Sequence, residues 1–187
     1  YNAVMFALEI AKEVNDQAFV DEWTDLPAKI KNSFVSTFWD SNRNYLADFV
    51  HGENKNWDVR PNQIFAASLK YSPIDDEMKN AVLTVVEKEL LTVKGLRTLS
   101  PKNLSYKGRC KGDLMTRDLA YHQGSVWPWL FGHFAEAYLN LHGKSGVKLI
   151  DRYLAGFEDE MSNHGVGSIS EIFDGDPPHK ARGTISQ

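Results

Sequence analysis

The chain has one cysteine, Cys110, so no internal disulfide can form, and a reducing compartment fits. It has no excess of positive charge: 21 Lys and Arg stand against 25 Asp and Glu, a net charge of −4. That argues against a nucleic-acid binder, which carries a basic excess or a basic stripe, so no nucleic-acid partner is expected. It has no apolar run long enough to span a bilayer, so no membrane partner is expected either. The start, residues 1–14, lacks a basic region and a cleavage site, so no signal peptide is expected within it. No His or Cys pair has zinc spacing, and the acidic turn near Asp174 lacks the spaced oxygens of a calcium loop. No phosphate loop, dinucleotide fingerprint or Gly-x-Ser-x-Gly elbow is present. Neither a metal nor a cofactor is expected.

What is there is apolar and aromatic. Apolar residues run through all 187 positions, enough for one domain with a sizeable core. Aromatics reach 12%, with five tryptophans. Cores use aromatics, and so do sugar clefts, where a flat ring covers the C–H face of a pyranose. Composition alone leaves the core reading ahead.

Helical periodicity dominates, and the chain reads as all-α. Residues 1–14, 61–71 and 123–141 are apolar nearly all round, as in helices buried on several sides. Residues 19–38, 75–91 and 147–161 carry a single apolar stripe, as in helices with a wet back. Pro27 should kink the first striped segment or start a helix there. Links alternate too: short ones near 15, 71–74 and 142–145, long ones over 40–60, 92–122 and 163–182. In an antiparallel array every second link emerges at the same end, so the three long loops should meet there. Arg60, Tyr121 and Arg182 each close a long loop just before an expected inner helix, equally spaced along the chain. Such a period means stacked helix pairs, in an open solenoid or a closed ring.

Two stretches concentrate polar and aromatic chemistry. The first is Tyr121-His122-Gln123-Gly124-Ser125-Val126-Trp127-Pro128-Trp129. Pro128 suits the first turn of a helix, so these residues should sit at a helix N-terminus facing the loops. Tyr121, His122 and Gln123 can bond sugar hydroxyls, and Trp127 or Trp129 can stack on a ring. One histidine alone would be read as a structural cap, whereas the whole cluster favours a site. The second stretch is Ser168-Ile169-Ser170-Glu171-Ile172-Phe173-Asp174-Gly175-Asp176-Pro177-Pro178-His179. Glu171, flanked by apolar residues and bounded by glycines, is either a buried partner for a cation or a catalytic carboxylate. Asp174 and Asp176 alone read as solvated turn residues.

These two runs, with Arg60-Pro61-Asn62-Gln63 and the 95–101 segment, resemble the C-terminal amylo-α-1,6-glucosidase part of glycogen debranching enzymes. The resemblance covers roughly residues 40–187. It implies an (α/α)6 toroid whose loops form the active site. At roughly sixty residues per helix pair, residues 1–187 would supply about half a ring, the C-terminal part of one domain truncated at both ends. It implies inverting hydrolysis of α-1,6-linked glucose at branch points of glycogen or a related α-glucan, in the cytoplasm. Glu171 takes the general-base position of the family pattern. The acid falls on a loop before Tyr1, so the N-terminal remainder of the same enzyme is an expected partner and the isolated chain should be inactive. Tyr121, His122, Gln123, Trp127 and Trp129 should line the glucose pocket, with Arg60, Gln63 and Asp174 nearby. A glucoamylase-like or trehalase-like toroid would share this mechanism and differ in linkage. A non-catalytic α-glucan-binding helical domain would keep the aromatics without needing Glu171. A helical protein-binding repeat would put its site on a concave helix face instead.

Overall fold

Side-chain caps mark where several helices begin. In the computed structural model, which describes residues 1–163 and 166–183, Asp16, Asp75 and Asp113 each accept a backbone N–H three residues on, from Phe19, Met78 and Thr116. They open α2 (Gln17–Trp23), α5 (Asp76–Glu89) and α6 (Leu114–Tyr121). Pro27 lies in the first turn of α3 (Leu26–Phe38), where its missing N–H is harmless. The other helices are α1 (Asn2–Glu13), α4 (Gln63–Ser68), α7 (Leu130–His142), α8 (Val147–Ala155) and α9 (Glu160–Asn163). No helix among the described residues is long and apolar enough to cross a membrane.

The core lies where α4, α5 and α7 meet. Ile64 and Ala67 of α4 pack with Val82, Leu83 and Val86 of α5 and with Phe131, Phe134 and Ala137 of α7. Ile150 of α8 and Phe157 close the cluster. Phe134 is wholly buried, a placement worth about 1.5–3 kcal/mol for such a side chain. The first three helices contribute little. Only Leu8 and Ala11 of α1 are buried, and no residue of α2 or α3 is. Phe6, Ile10 and Val14 are exposed. The expectation of an all-round buried helix at 1–14 is therefore corrected: among the described residues, nothing covers that stripe.

The all-α expectation also needs correction, because the long loops are partly sheet. Two small antiparallel hairpins fill the first loop: β1 (Trp39–Asp40) with β2 (Tyr45–Leu46), and β3 (Phe49–His51) with β4 (Asn54–Asn56). A five-stranded antiparallel sheet then runs in sequence order through β5 (Leu91–Thr92), β6 (Gly95–Arg97), β7 (Val126–Trp127), β8 (Ile172–Phe173) and β9 (Ala181–Arg182). The physical reason is that loops laid side by side must pair their buried N–H and C=O groups. Strands of two or three residues show no alternation in the sequence.

The three long loops do come together. The Ser100 N–H donates to Val59 O over 3.0 Å, joining the first loop to the second. The Asp176 N–H donates to Gly108 O over 3.0 Å, joining the third loop to the second. The further inner helix expected after Arg182 falls outside the described residues.

Candidate active site

Helix α6 is a short piece inside the second long loop, and it ends at the cluster that the sequence singles out. Tyr121 is its last residue and His122 its C-cap. The chain then turns sharply into β7, with the N–H groups of Gln123 and Ser125 both donating to Ala120 O. Gly124 makes the turn with φ near +152°, and a Cβ there would fall 2.5 Å from Lys107 O. Tyr121 and His122 therefore close one helix rather than open the next. Helix α7 begins only at Leu130, with Trp129 as its N-cap.

This turn gathers three rings. Tyr121 meets Trp127 edge-on, with centroids 4.6 Å apart, and His122 stacks on Trp127 at 6.0 Å with planes 11° apart. The Trp127 indole N–H donates to Tyr121 O over 3.1 Å, which fixes the indole. Glu171 stands directly before β8, whose Phe173 pairs with Val126 of β7, so the sheet brings it alongside. The Tyr121 hydroxyl donates to Glu171 Oε1 over 2.7 Å. Burial first, and the bond to Glu171 second, push the Tyr121 hydroxyl up to about 12, so it remains a neutral donor at any ordinary pH. Gly183, with φ near +72°, packs on the other side: a Cβ there would lie 2.6 Å from Glu171 Oε2.

Arg60 ties this turn to the other loops. Its Nη1 donates to Thr98 O over 3.1 Å and to His122 O over 2.7 Å. Its Nη2 donates to Gln123 Oε1 over 2.6 Å, and its Nε lies 3.5 Å from Asp48 Oδ2. The guanidinium is thus engaged as a fastener, and the Gln123 carbonyl oxygen is held by it. Tyr121 supplies the polar partner of Glu171, while His179 Nδ1 sits 2.9 Å from Asp174 O.

The remaining expected residues stand in other settings. Asp174 is buried, accepts from Cys110 N over 2.9 Å, and is gripped by Arg182. That bond raises the Arg182 guanidinium further above its usual value. Gln63 is buried, donates from Nε2 to Arg60 O over 3.1 Å, and lines a separate cavity. Trp129 is half-exposed and groups with Phe65 and His133, each 5.9 Å away. The structure thus brings together Tyr121, His122, Gln123, Trp127 and Glu171, with Arg60 behind them. Sequence reasoning gave no role to Asp48, Thr98 or Gly183. The Thr98 hydroxyl accepts the Gly124 N–H over 2.9 Å, and the 95–101 segment that carries it was itself a signal. Nothing in the sequence pointed to Asp48. Among the described residues, no group of three or more His, Cys, Asp or Glu is placed to hold a metal ion.

Such a group has a carboxylate held by a phenol, a slab of aromatic surface and a histidine at its edge. It can activate a water and stack on an apolar ring face. A family model described as amylo-alpha-1,6-glucosidase matches residues 1–187, the whole chain. A glycogen debranching enzyme of Saccharomyces cerevisiae is 29% identical over 100 residues, which is 50% of this chain and 6% of that relative. The matched stretch therefore spans a small fraction of the relative's own length.

Proposed function

The chain belongs to the amylo-alpha-1,6-glucosidase family, and from that premise we propose that it is part of a glycoside hydrolase domain removing α-1,6-linked glucose at branch points of glycogen or a related α-glucan, with inversion. The observation that carries the reading is the Tyr121–Glu171 hydrogen bond beside the Tyr121–His122–Trp127 rings. A carboxylate oriented by a hydroxyl donor is held in place, as a general base must be.

In this reading Glu171 takes a proton from the water that attacks the anomeric carbon. Tyr121 fixes the rotation of the carboxylate. A second carboxylate, the general acid, stands about 6.5–9.5 Å away across the sugar and protonates the leaving oxygen. Trp127 and His122 offer the flat surface against which the glucosyl C–H face rests. Gln123 extends the pocket, Arg60 holds the turn, and Asp174 and Gln63 support it from behind. The helical scaffold is read as part of an (α/α)6 toroid, residues 1–187 forming the C-terminal portion of one domain. Helices α4, α5 and α7 packed around a shared core, with the long loops meeting, support that reading. A cytoplasmic setting, with the remainder of the enzyme supplying the acid, fits the same picture.

The test is glucose release from a glycogen limit dextrin by the enzyme carrying this chain. Glu171→Gln keeps the shape and removes the proton acceptor. Hydrolysis should fall steeply while the dextrin still binds. Near-normal turnover would remove Glu171 from the base role, and binding without any turnover in the parent enzyme would favour a purely glucan-binding domain.

A further inference from the structure

One largely buried ion pair lies outside the group around Glu171. Lys94 stands in the turn between β5 and β6, and its Nζ lies 3.0 Å from Oε1 of Glu160, the first residue of α9. Both side chains are only 13% exposed. The same ammonium donates to the carbonyl of Gly156, the C-cap of α8, over 2.7 Å. It also stands 5.7 Å from the centre of the Phe173 ring in β8. One charge thus meets three elements: the end of α8, the start of α9, and β8.

Stability alone is a poor account of this pair. Taking two charges out of water is expensive, and here the cost is only partly offset, for Glu160 Oε2 is shielded and has no hydrogen-bond partner among the described residues. Two apolar side chains would fill the same space without that cost. They would not fix directions as a charge with directed partners does. The turn that carries Lys94 is itself held. The Thr92 hydroxyl donates to Gly95 O over 2.9 Å and accepts the Lys94 N–H over 3.1 Å. Close packing hems the turn in on two sides. A Cβ at Gly95 would fall 2.6 Å from Trp127 O, and one at Gly156 would fall 2.9 Å from Val93 O. Lys94 is a fixed post between Trp127 and the joint of α8 with α9. Beside it, Phe173 is wholly buried, pairs with Val126 of β7, and follows Glu171 by two residues.

We infer that Lys94 is a positioning residue for the reaction proposed above: its ammonium, paired with Glu160, holds the α8–α9 joint against Phe173, and Phe173 sets where β8, and with it Glu171, meets Tyr121. Lys94 acts through Phe173 and Glu171, and the ion pair is kept for its geometry. The inference rests on the base reading of Glu171 and adds to it the device that aims the carboxylate.

The test is glucose release from a glycogen limit dextrin by the enzyme carrying this chain, with Tm measured on every variant. Lys94→Met strands Glu160, so Tm should fall, and kcat should fall by about tenfold or more with KM little changed. The double variant of Lys94→Met with Glu160→Leu removes both charges and should regain most of the Tm. Its kcat should stay low, because nothing aims β8. Recovery of kcat together with Tm would make the pair structural only and overturn the inference. Should Lys94→Met fail to fold, the double variant decides alone. Glu171→Gln completes a cycle: adding Lys94→Met to it should lower the residual kcat by about twofold at most, since both changes act through one carboxylate. A further loss of about tenfold in that background would overturn the route through Glu171. Normal kcat in Lys94→Met beside a crippled Glu171→Gln overturns this inference alone. Near-normal kcat in Glu171→Gln overturns the base reading, and this inference with it.

Discussion

Arg182 grips Asp174 with two nitrogens, Nε to Oδ1 at 3.1 Å and Nη2 to Oδ2 at 3.0 Å. The Asp174 side chain is almost wholly buried and also receives the Cys110 N–H, so this pair closes β8 onto β9 and pins both to the second loop. Removing one partner of a buried pair strands the other, at about 3–5 kcal/mol. Arg182 is partly exposed, so Asp174→Ala should cost about 3 kcal/mol, toward the low end of that range. Urea unfolding should show a lower midpoint with unchanged slope; an unchanged midpoint would mean that the pair contributes nothing.

Gly183 follows that pair and touches Glu171. A Cβ at position 183 would meet Glu171 Oε2 at 2.6 Å and Ile172 Cγ1 at 3.2 Å, on a backbone with φ near +72°. Gly183→Ala should therefore strain the backbone by about 1–3 kcal/mol. It should also displace the carboxylate, and a shift of about 1 Å at a reacting group costs on the order of a hundredfold in rate. The expected signature is a large loss of kcat beside a modest loss of Tm. Full activity with the lowered Tm would show that the contact is structural only.

These two positions also show what the sequence could reveal. The helices were legible from spacing, and the start of α3 at Pro27 from proline chemistry. Glu171 stood out because a lone carboxylate interrupted an apolar run between glycines. The convergence of the loops followed from alternating link lengths. The sheet was illegible, because strands such as β7 and β8 have two residues each and carry no period. Helix α6 was missed for a similar reason: at eight residues it is short, and Leu114 and Met115 on it are exposed. Its cap, Asp113 three residues before Thr116, was the signal available. Asp174 read as a turn residue because its partners Arg182 and Cys110 meet it only through the fold.

The tyrosines give a pH test. Tyr106 and Tyr121 are both pushed up to about 12, each by burial first. A pKa raised in the folded state means stability that is fully present below the unfolded value, about 10, and lost as pH climbs through 12. Tm should therefore be insensitive to these groups at neutral pH and fall between pH 10 and 12. Tyr121→Phe should flatten that fall, and Tyr106→Phe combined with it should flatten it further. An alkaline profile identical to the parent in the double variant would contradict the assigned burial.

The last prediction concerns Arg60, which reaches Asp48 in the first loop, Thr98 in the second, and His122 and Gln123 at the turn beside Glu171. Its planar fork meets two carbonyls and an amide oxygen at once. Lysine carries the same charge but has neither the reach nor the fixed geometry for that. Arg60→Lys should keep the attraction to Asp48 and so most of the stability, while the His122–Gln123 turn loosens. If Arg60 acts by holding that turn, kcat should drop by about ten- to a hundredfold with KM little changed. Millimolar guanidinium added to Arg60→Ala should restore part of the loss. If Arg60 instead binds the sugar directly, KM should rise and kcat persist. That outcome would return Arg60 to the glucose pocket and leave the turn to hold itself.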